Sequence, residues 1–560
     1  MVKRLPSGIS DFEKLIVDNY YYVDKTMYIE KLEDYPNPNI MFLRPRKFGK
    51  TLFTSTLENY YDIKRVDKVD TIFRDTYIGK NPTKLKSSYY ILKFNFSGID
   101  TNSINSTIEG FKREVVSSIG VFVQKYNLDF VVNANEQAED VLDNLFKAFS
   151  LQRPNEKIYV IIDEYDHFAN ELLGFNVAGF KDLVSKNGKV RKWYEILKKG
   201  TESVVDRIFI TGVAPITLDG MTSGFNIVSD ITRDFEFNEM MGFTKKELIE
   251  MMERQEISKD KIDELLPVMK ENYDGYKFSL DAEEKMYNSN MTLYFLNQYV
   301  RFGKVPTELV DVNIASDYAK IGQMLNLCKG EKRVEILETT VSGEGVLTQI
   351  TQKFNPAVEF GDKEMASMLY YLGYLTISES MAGYAKLVIP NKMMREIYSD
   401  YLLKVIQEIN NFNLDINYAK IAIDVLTTGN IDEIIELVKK YLVHLSNRDY
   451  QGFDEKHLKL IFLLIAMNFK IAYTIKSEME VQRKYPDLVL IPRENGKGYY
   501  AVMIEFKYLK KEEAKKLNEK KEEAKNQIEE YASFDELKNI PNLRKYTVVA
   551  VNDEIYVDEI

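Results

Sequence analysis

Two carboxylates and a lysine fall within one short segment, YPDLVLIPRENGKGYYAVMIEFKYLKK, residues 485–511. Asp487 follows a proline and opens an apolar run. Glu505 and Lys507 stand two apart in a second run, YYAVMIEFKYL. Residues two apart on a strand project to one face. The intervening ENGKG reads as a turn, and a hairpin there would carry Asp487 to the same edge. Two such acids can hold Mg²⁺ or Mn²⁺ and place a water, while a lysine steadies charge at a phosphodiester under attack. E-x-K on a strand is also an everyday surface ion pair, so the cluster gains meaning only from its surroundings.

A second chemistry is suggested by NIMFLRPRKFGKTLFTSTLENYY, residues 39–61. Gly49-Lys50-Thr51 follows an apolar run and opens a helical pattern, the context a phosphate loop requires. Backbone N–H groups at a helix start attract phosphate oxygens. Lys50 would reach the β- and γ-phosphates of ATP, and Thr51 would offer its hydroxyl to Mg²⁺. The usual first glycine is replaced by Arg44, and Pro45 can fix the turn instead. Downstream, KIYVIIDEYDHF is an apolar strand ending in Asp163-Glu164. There Asp163 would hold Mg²⁺ and Glu164 would activate the attacking water. RIFITGV places Thr211 at another strand end, where a polar group can sense the γ-phosphate. Trp193 reads as a packing residue and His167 as a cap or loop residue.

The elements that must position these groups follow from periodicity. Residues 39–43, 89–96, 157–163 and 207–212 read as buried strands interleaved with helices, which predicts an α/β domain with a parallel sheet. From 244 the pattern turns helical, and TKKELIEMMERQ begins with a capping box. Residues 363–406 read as helix, strand, a turn at Gly383, strand, helix, an order compatible with a winged helix and also with a packing module. From about 451 the order is helix, hairpin, strand, long helix, strand. The expected division is a P-loop ATPase domain at 1–243, a helical lid at 244–345, a winged-helix-like segment at 346–414 and a restriction-endonuclease-like α/β domain at 415–560.

Composition excludes other classes. With 560 residues several domains are expected. One cysteine, Cys328, and three histidines rule out a disulfide framework and make a His- or Cys-based metal centre improbable, so carboxylates must hold any metal. The net charge of −11 argues against a generally basic nucleic-acid coat, though not against a local basic cleft. MVKRLPSGISDFEKL has no apolar stretch behind its basic residues, and the run LIFLLIAM is too short to span a bilayer. A reduced, cytoplasmic setting without a membrane partner is expected.

Together YYYVDKTMYIEKL, FLRPRKFGKTL, YVIIDEYD, FITGVAPITLDGMTSGFNI, YDGYKF and YNSNMTLYFL resemble the AAA-ATPase-like family of bacterial proteins, whose members commonly carry a PD-(D/E)xK nuclease-like domain at the C-terminus. The resemblance covers nearly the whole chain. In that family the first Walker A glycine is typically arginine, which places Arg44 among the nucleotide-binding residues. Asp24, Lys25 and Thr26 match its DKT motif, whose implied role is no more than closeness to the nucleotide. Asp487, Glu505 and Lys507 match PD-(D/E)xK, and Gln527 and Tyr531 resemble the Q-x-x-x-Y pattern of the RecB-like branch, with Gln527 as a positioning residue. Glu455 matches the acid that branch often carries on the preceding helix, as a further metal ligand; Glu478 and Glu480 are alternatives. The resemblance implies an ATP-binding, ATP-hydrolysing protein coupled to a metal-dependent nuclease, with nucleic acid as partner and a homo-oligomer as one possible assembly. KYLKK at 507–511 and Arg483-Lys484 are the basic candidates for its contacts. The rival reading is a nucleotide-switched regulatory or scaffold protein with an inactive nuclease fold.

Overall fold

The computed structural model describes residues 2–169, 188–215, 226–306, 345–352, 361–409, 416–444, 453–477, 486–493 and 498–560, with isolated positions between them. Cys328, Glu478, Glu480 and Arg483 lie outside the described residues. The chain divides into two compact units, Met1–Ile336 with Gly345–Met394, and Leu337–Glu344 with Arg395–Ile560.

In the first unit, β1 (Asn39–Leu43), β2 (Tyr90–Asn95), β3 (Ile158–Asp163), β4 (Val205–Gly212) and β5 (Ser229–Asp230) form a parallel sheet in the order β2-β3-β4-β1-β5. Every residue of β3 is buried, as expected of a parallel strand covered on both faces. Helices Lys50–Tyr61 and Ile104–Tyr126 pack against the sheet. Trp193 is fully buried and meets the rings of Phe94, Phe96 and Phe111 edge to face, which makes it a packing residue. The strand order sets the site. β4 lies between β1 and β3, so the phosphate loop after β1 and the acids after β3 flank the end of β4.

Beyond the sheet come helices Lys245–Arg254, Lys259–Tyr273 and Ser289–Phe302. Thr244 and Glu247 close the capping box at the first of these. A three-stranded antiparallel sheet follows, β6 (Val346–Thr348), β7 (Thr376–Met381) and β8 (Tyr384–Val388), in the order β6-β8-β7. Ala382 and Gly383 join β7 to β8 with φ of 52° and 83°, the left-handed pair that tight hairpins need. Residues 345–394 group with the first unit and do not stand apart from it.

The second unit holds a mixed sheet of β9 (Tyr473–Ser477), β10 (Leu488–Pro492), β11 (Ala501–Leu509), β12 (Leu543–Val551) and β13 (Glu554–Glu559), in the order β13-β12-β11-β10-β9. β9, β10 and β11 pair antiparallel, whereas β11 and β12 are parallel and joined through helix Leu517–Ala532. Side chains alternate along β11. Phe506 meets Phe462 of helix Glu455–Met467, while Met503 packs with Ile528 and Tyr531 of helix Leu517–Ala532. Among the described residues no helix is long and apolar enough to cross a membrane.

Close approach demands glycine at one point near the first site. A Cβ on Gly212 would meet Asp166 Oδ1 at 2.1 Å and Tyr165 Cδ1 at 2.6 Å. Asp166 cannot yield freely, since it accepts the Val213 and Ala214 N–H groups at 3.0 and 2.7 Å. Gly212→Ala should therefore destabilise the chain by about 2 kcal/mol, measurable as a lower thermal midpoint; an unchanged midpoint would refute this account of the turn.

Candidate functional sites

The first site is built where β1 ends. The loop 44–49 leads into helix Lys50–Tyr61, and Gly49 caps that helix with φ of 99°, a conformation suited to glycine. Lys50 is buried, and its ammonium donates to the Arg44 and Pro45 carbonyls at 3.0 and 3.2 Å. It also stands 3.9 Å from Glu164 Oε1. A cavity of about 570 Å³ lies against the loop, lined by Lys25, Gly49, Lys50, Thr51, Glu164 and His167, with Tyr22, Met241, Phe243 and Leu293 among its apolar residues. Such a surface offers cationic and N–H groups to phosphates and apolar groups to a flat base.

Asp163 is buried at the end of β3, and Glu164 follows in a left-handed conformation, φ 52°. Burial raises the Asp163 pKa, the neighbouring Glu164 charge adds to the rise, and Lys50 and the Thr51 hydroxyl oppose it. Asp163 Oδ2 is buried and has no hydrogen-bond partner among the described residues. A buried carboxylate oxygen without a donor, beside Thr51, fits a divalent cation. The strain at Glu164 turns its carboxylate into the cavity, and backbone strain of this kind tends to gather at working sites. Thr211 is fully buried at the end of β4 and does not line the cavity; its Oγ1 has no partner among the described residues. His167, read from sequence as a cap or loop residue, does line it.

Arg44 requires a correction. Its side chain does not face the cavity and cannot reach a phosphate there. Only 1% of it is exposed. Nη1 donates to the Leu43 and Thr232 carbonyls at 2.9 and 2.8 Å, and Nη2 donates to Phe237 and Asn238 at 2.8 and 3.4 Å. The guanidinium lies 4.0 and 4.1 Å from the ring centroids of Phe42 and Phe278. Both Nη groups are engaged inside the core, and the buried Nε has no partner among the described residues, so Arg44 fixes the loop from behind.

The remaining loop carbonyls are held by the segment quoted above as YNSN. Asn288 Nδ2 donates to Arg46 O at 3.5 Å, the Asn290 N–H to Lys47 O at 3.3 Å and Ser289 Oγ to Phe48 O at 3.3 Å. The DKT motif acquires a mechanism as well. Asp24 Oδ1 accepts the N–H and hydroxyl of Thr26 at 2.9 and 2.6 Å, and Asp24 Oδ2 accepts the Tyr77 N–H at 2.6 Å. Lys25, between them, donates to the Glu239 carbonyl at 2.8 Å and pairs with Glu247 at 2.6 Å. Burial lowers the Lys25 pKa against the pull of Glu247. Asp24 and Thr26 thus brace the chain while Lys25 ties the cavity wall to the capping box of helix Lys245–Arg254.

The second site lies at the junction of β10 and β11. Leu488 pairs with Ile504, so the next cross-strand positions are Asp487 and Glu505, and Lys507 shares their face. All three are buried. Lys507 Nζ lies 3.0 Å from Glu505 Oε1, and the Phe506 N–H donates to Asp487 Oδ2 at 2.8 Å. Asp454 caps helix Glu455–Met467 by accepting the Lys456 and His457 N–H groups, which fixes Glu455 in the first turn. Glu455 Oε1 then lies 3.9 Å from Lys507 Nζ. Burial raises both strand carboxyls. Glu505 is pushed up to about 7 by burial and by Asp487, against Lys507; Asp487 is raised by burial, against Lys459.

Glu505 Oε2 and Gln527 Oε1 are buried without partners among the described residues. Tyr531, one helical turn beyond Gln527, feels the charges of Glu505 and Asp487. Among the described residues no three acidic, His or Cys side chains are placed to hold one metal ion. Two carboxylates are nonetheless enough for Mg²⁺, which keeps several of its waters, and the orphaned Glu505 oxygen suits such a ligand. Sequence reasoning missed Lys459. Its ammonium lies 2.6 Å from Asp487 Oδ1 and 3.0 Å from Glu455 Oε1. The available signal was the i,i+4 spacing of Glu455 and Lys459, which any exposed helix also uses.

Comparison with known proteins gives a family match for each of the two regions. Residues 6–222 match the family model described as Predicted AAA-ATPase, AAA-ATPase-like, and residues 453–559 match the PD-(D/E)XK nuclease superfamily. The chain joins an AAA-ATPase-like region to a PD-(D/E)XK nuclease-superfamily domain. It is 24% identical over 395 residues to a protein of Azotobacter chroococcum mcd 1 described as "Uncharacterized protein in vnfD 5'region". That similarity takes in 67% of this chain and 64% of the relative, so the chain spans less than two thirds of the relative's length.

The reassignment of Arg44 has a measurable consequence. Arg44→Met removes the donors and leaves buried carbonyls unpaired, which should lower stability by about 3 kcal/mol or more. Denaturant titration at matched ATP concentrations separates the two roles: a stable variant with weakened ATP binding would restore Arg44 to the nucleotide site.

Proposed function

We propose that the protein binds and hydrolyses ATP and uses that cycle to regulate a metal-dependent phosphodiesterase acting on nucleic acid. The observation that carries this reading is the convergence of Asp487, Glu505 and Lys507 on one face of the β10–β11 hairpin, with Glu455 beside them. Asp487 and Glu505 would hold Mg²⁺ or Mn²⁺. The cation, when bound, supplies Lewis-acid stabilisation of the scissile phosphate and lowers the pKa of a bound water. Lys507 would steady the developing negative charge or orient the water. Gln527 and Tyr531 would position the substrate backbone. Lys484 and the KYLKK run offer cations for phosphate contacts, so binding should weaken with salt.

At the other site, Lys50 would exchange its carbonyl partners for phosphate oxygens, and Thr51 and Asp163 would hold Mg²⁺. Glu164 would take the proton of the attacking water. Lys25 and Glu247 offer a route from the nucleotide to helix Lys245–Arg254. One observation favours a second reading, a nucleotide-switched scaffold with an inactive nuclease fold: an ammonium already sits on Asp487.

Incubation of the full chain with single- and double-stranded DNA and RNA, with and without ATP, decides between them. Cleavage should require Mg²⁺ or Mn²⁺. Asp487→Ala should abolish it together with metal binding, whereas Lys507→Ala should reduce it by about a hundredfold or more and spare much of the metal binding. Activity unaffected by both substitutions would place the chemistry elsewhere, and no cleavage of any form would favour the scaffold. Independently, Glu164→Gln should retain ATP and slow its turnover by about a hundredfold or more, read by phosphate release; normal turnover would make Glu164 a structural acid.

A further inference from the structure

Lys459 stands on helix Glu455–Met467, one turn beyond Glu455. The two oxygens of Asp487 are divided between different partners. Oδ2 accepts the Phe506 main-chain N–H, and Oδ1 faces the Lys459 ammonium at 2.6 Å. Lys507, the lysine of the motif, is occupied with Glu505 at 3.0 Å. A cation shared by Asp487 and Glu505 needs an oxygen from each. Glu505 has Oε2 without a partner among the described residues, but the Asp487 oxygen that no main-chain group holds is the one paired to Lys459.

We propose that Lys459 is a built-in counter-ion that occupies the cation-binding oxygen of Asp487, so that a divalent cation must displace its ammonium to bind. The proposal rests on the nuclease reading of this site and names the residue that sets its metal affinity. Two positive ions cannot share one carboxylate oxygen at close range without strong repulsion. Lys459 is suited to leave. Its side chain is 27% exposed, against 7% for Lys507, and its long stem lets the ammonium swing without backbone movement. It also has somewhere to go. Glu455, at i−4 on the same helix, already lies 3.0 Å away, so the displaced ammonium keeps a carboxylate partner. Glu455 then serves as the retaining partner of Lys459 as well as a neighbour of the metal.

The test is Mn²⁺ binding by the full chain, followed by titration calorimetry without nucleotide and referred to the site that Asp487→Asn removes. Lys459→Met keeps the stem and deletes the charge. It should tighten Mn²⁺ binding at least about tenfold, the scale on which one neighbouring charge acts on a carboxylate. Lys459→Gln should do the same and serves if the Met variant folds poorly. Wild-type or weaker Mn²⁺ affinity in both variants, with the Asp487-dependent site intact, overturns the role of Lys459 and leaves the nuclease reading standing. Absence of any Asp487-dependent Mn²⁺ site in wild type and variants overturns both.

Discussion

The phosphate-loop end of the AAA-ATPase-like region depends on one buried guanidinium. A charge taken out of water is costly unless every available donor finds an acceptor. Arg44 meets most of that demand, its two Nη groups donating to the carbonyls of Leu43, Thr232, Phe237 and Asn238 and its plane lying against the faces of Phe42 and Phe278, while its buried Nε has no partner among the described residues. The dependence is mutual, because those carbonyls need donors as well. One side chain therefore ties the end of β1 to the segment 232–238 and to Phe278. A lysine could not replace it, having a single nitrogen to spread over carbonyls that lie in different directions. Glycine at this position, as in the usual phosphate loop, would free the backbone but leave the carbonyls orphaned.

From that anchor the loop is braced in turn by its neighbours. Its carbonyls at 46, 47 and 48 are capped by residues 288–290, and the Phe48 ring stands edge-on to Tyr276 and Phe278. The Gly242 N–H also donates to Phe48 O at 3.3 Å. Segments far apart in sequence thus converge on a few loop carbonyls. A rearrangement of the loop on binding the proposed phosphate would be felt at the start of helix Ser289–Phe302, because residues 288–290 hold the loop carbonyls.

The parallel strands were legible because a strand buried on both faces must be a continuous apolar run, and β3 is one. The acids at its end were legible for the same reason: Asp163 and Glu164 mark where the apolar run stops. Residue type does not report direction, however. Arg44 was expected to face the nucleotide, and only the partners at 232–238 show that it faces the core. The DKT motif was opaque because its partners at 77, 239 and 247 are remote in sequence. Glu505 and Lys507 could be placed on one face by alternation, and Asp487 joined them through the hairpin read at ENGKG. Lys459 could not, since its helical spacing from Glu455 describes a solvated ion pair equally well until Asp487 is brought against it.

The two sites share an electrostatic arrangement. In each, a lysine rests on the groups that surround the expected ligand: Lys50 on loop carbonyls near Glu164, and Lys459 on Asp487. The reason differs. At the phosphate loop the ligand is an anion, so Lys50 has only to turn from neutral carbonyls toward a stronger acceptor, and its own charge favours the exchange. At the β10–β11 site the proposed ligand is a cation, with which Lys459 would compete. Without that ammonium, Glu455, Asp487 and Glu505 would face Lys507 alone, three buried or half-buried acids against one cation. Burial raises the Asp487 and Glu505 pKa values, and the two lysines oppose that rise. A second lysine keeps the acids ionised in a site that must also fold, and its place at the more exposed side lets it yield. The feature that makes the fold tolerable is then the same one that would set the threshold for the proposed metal.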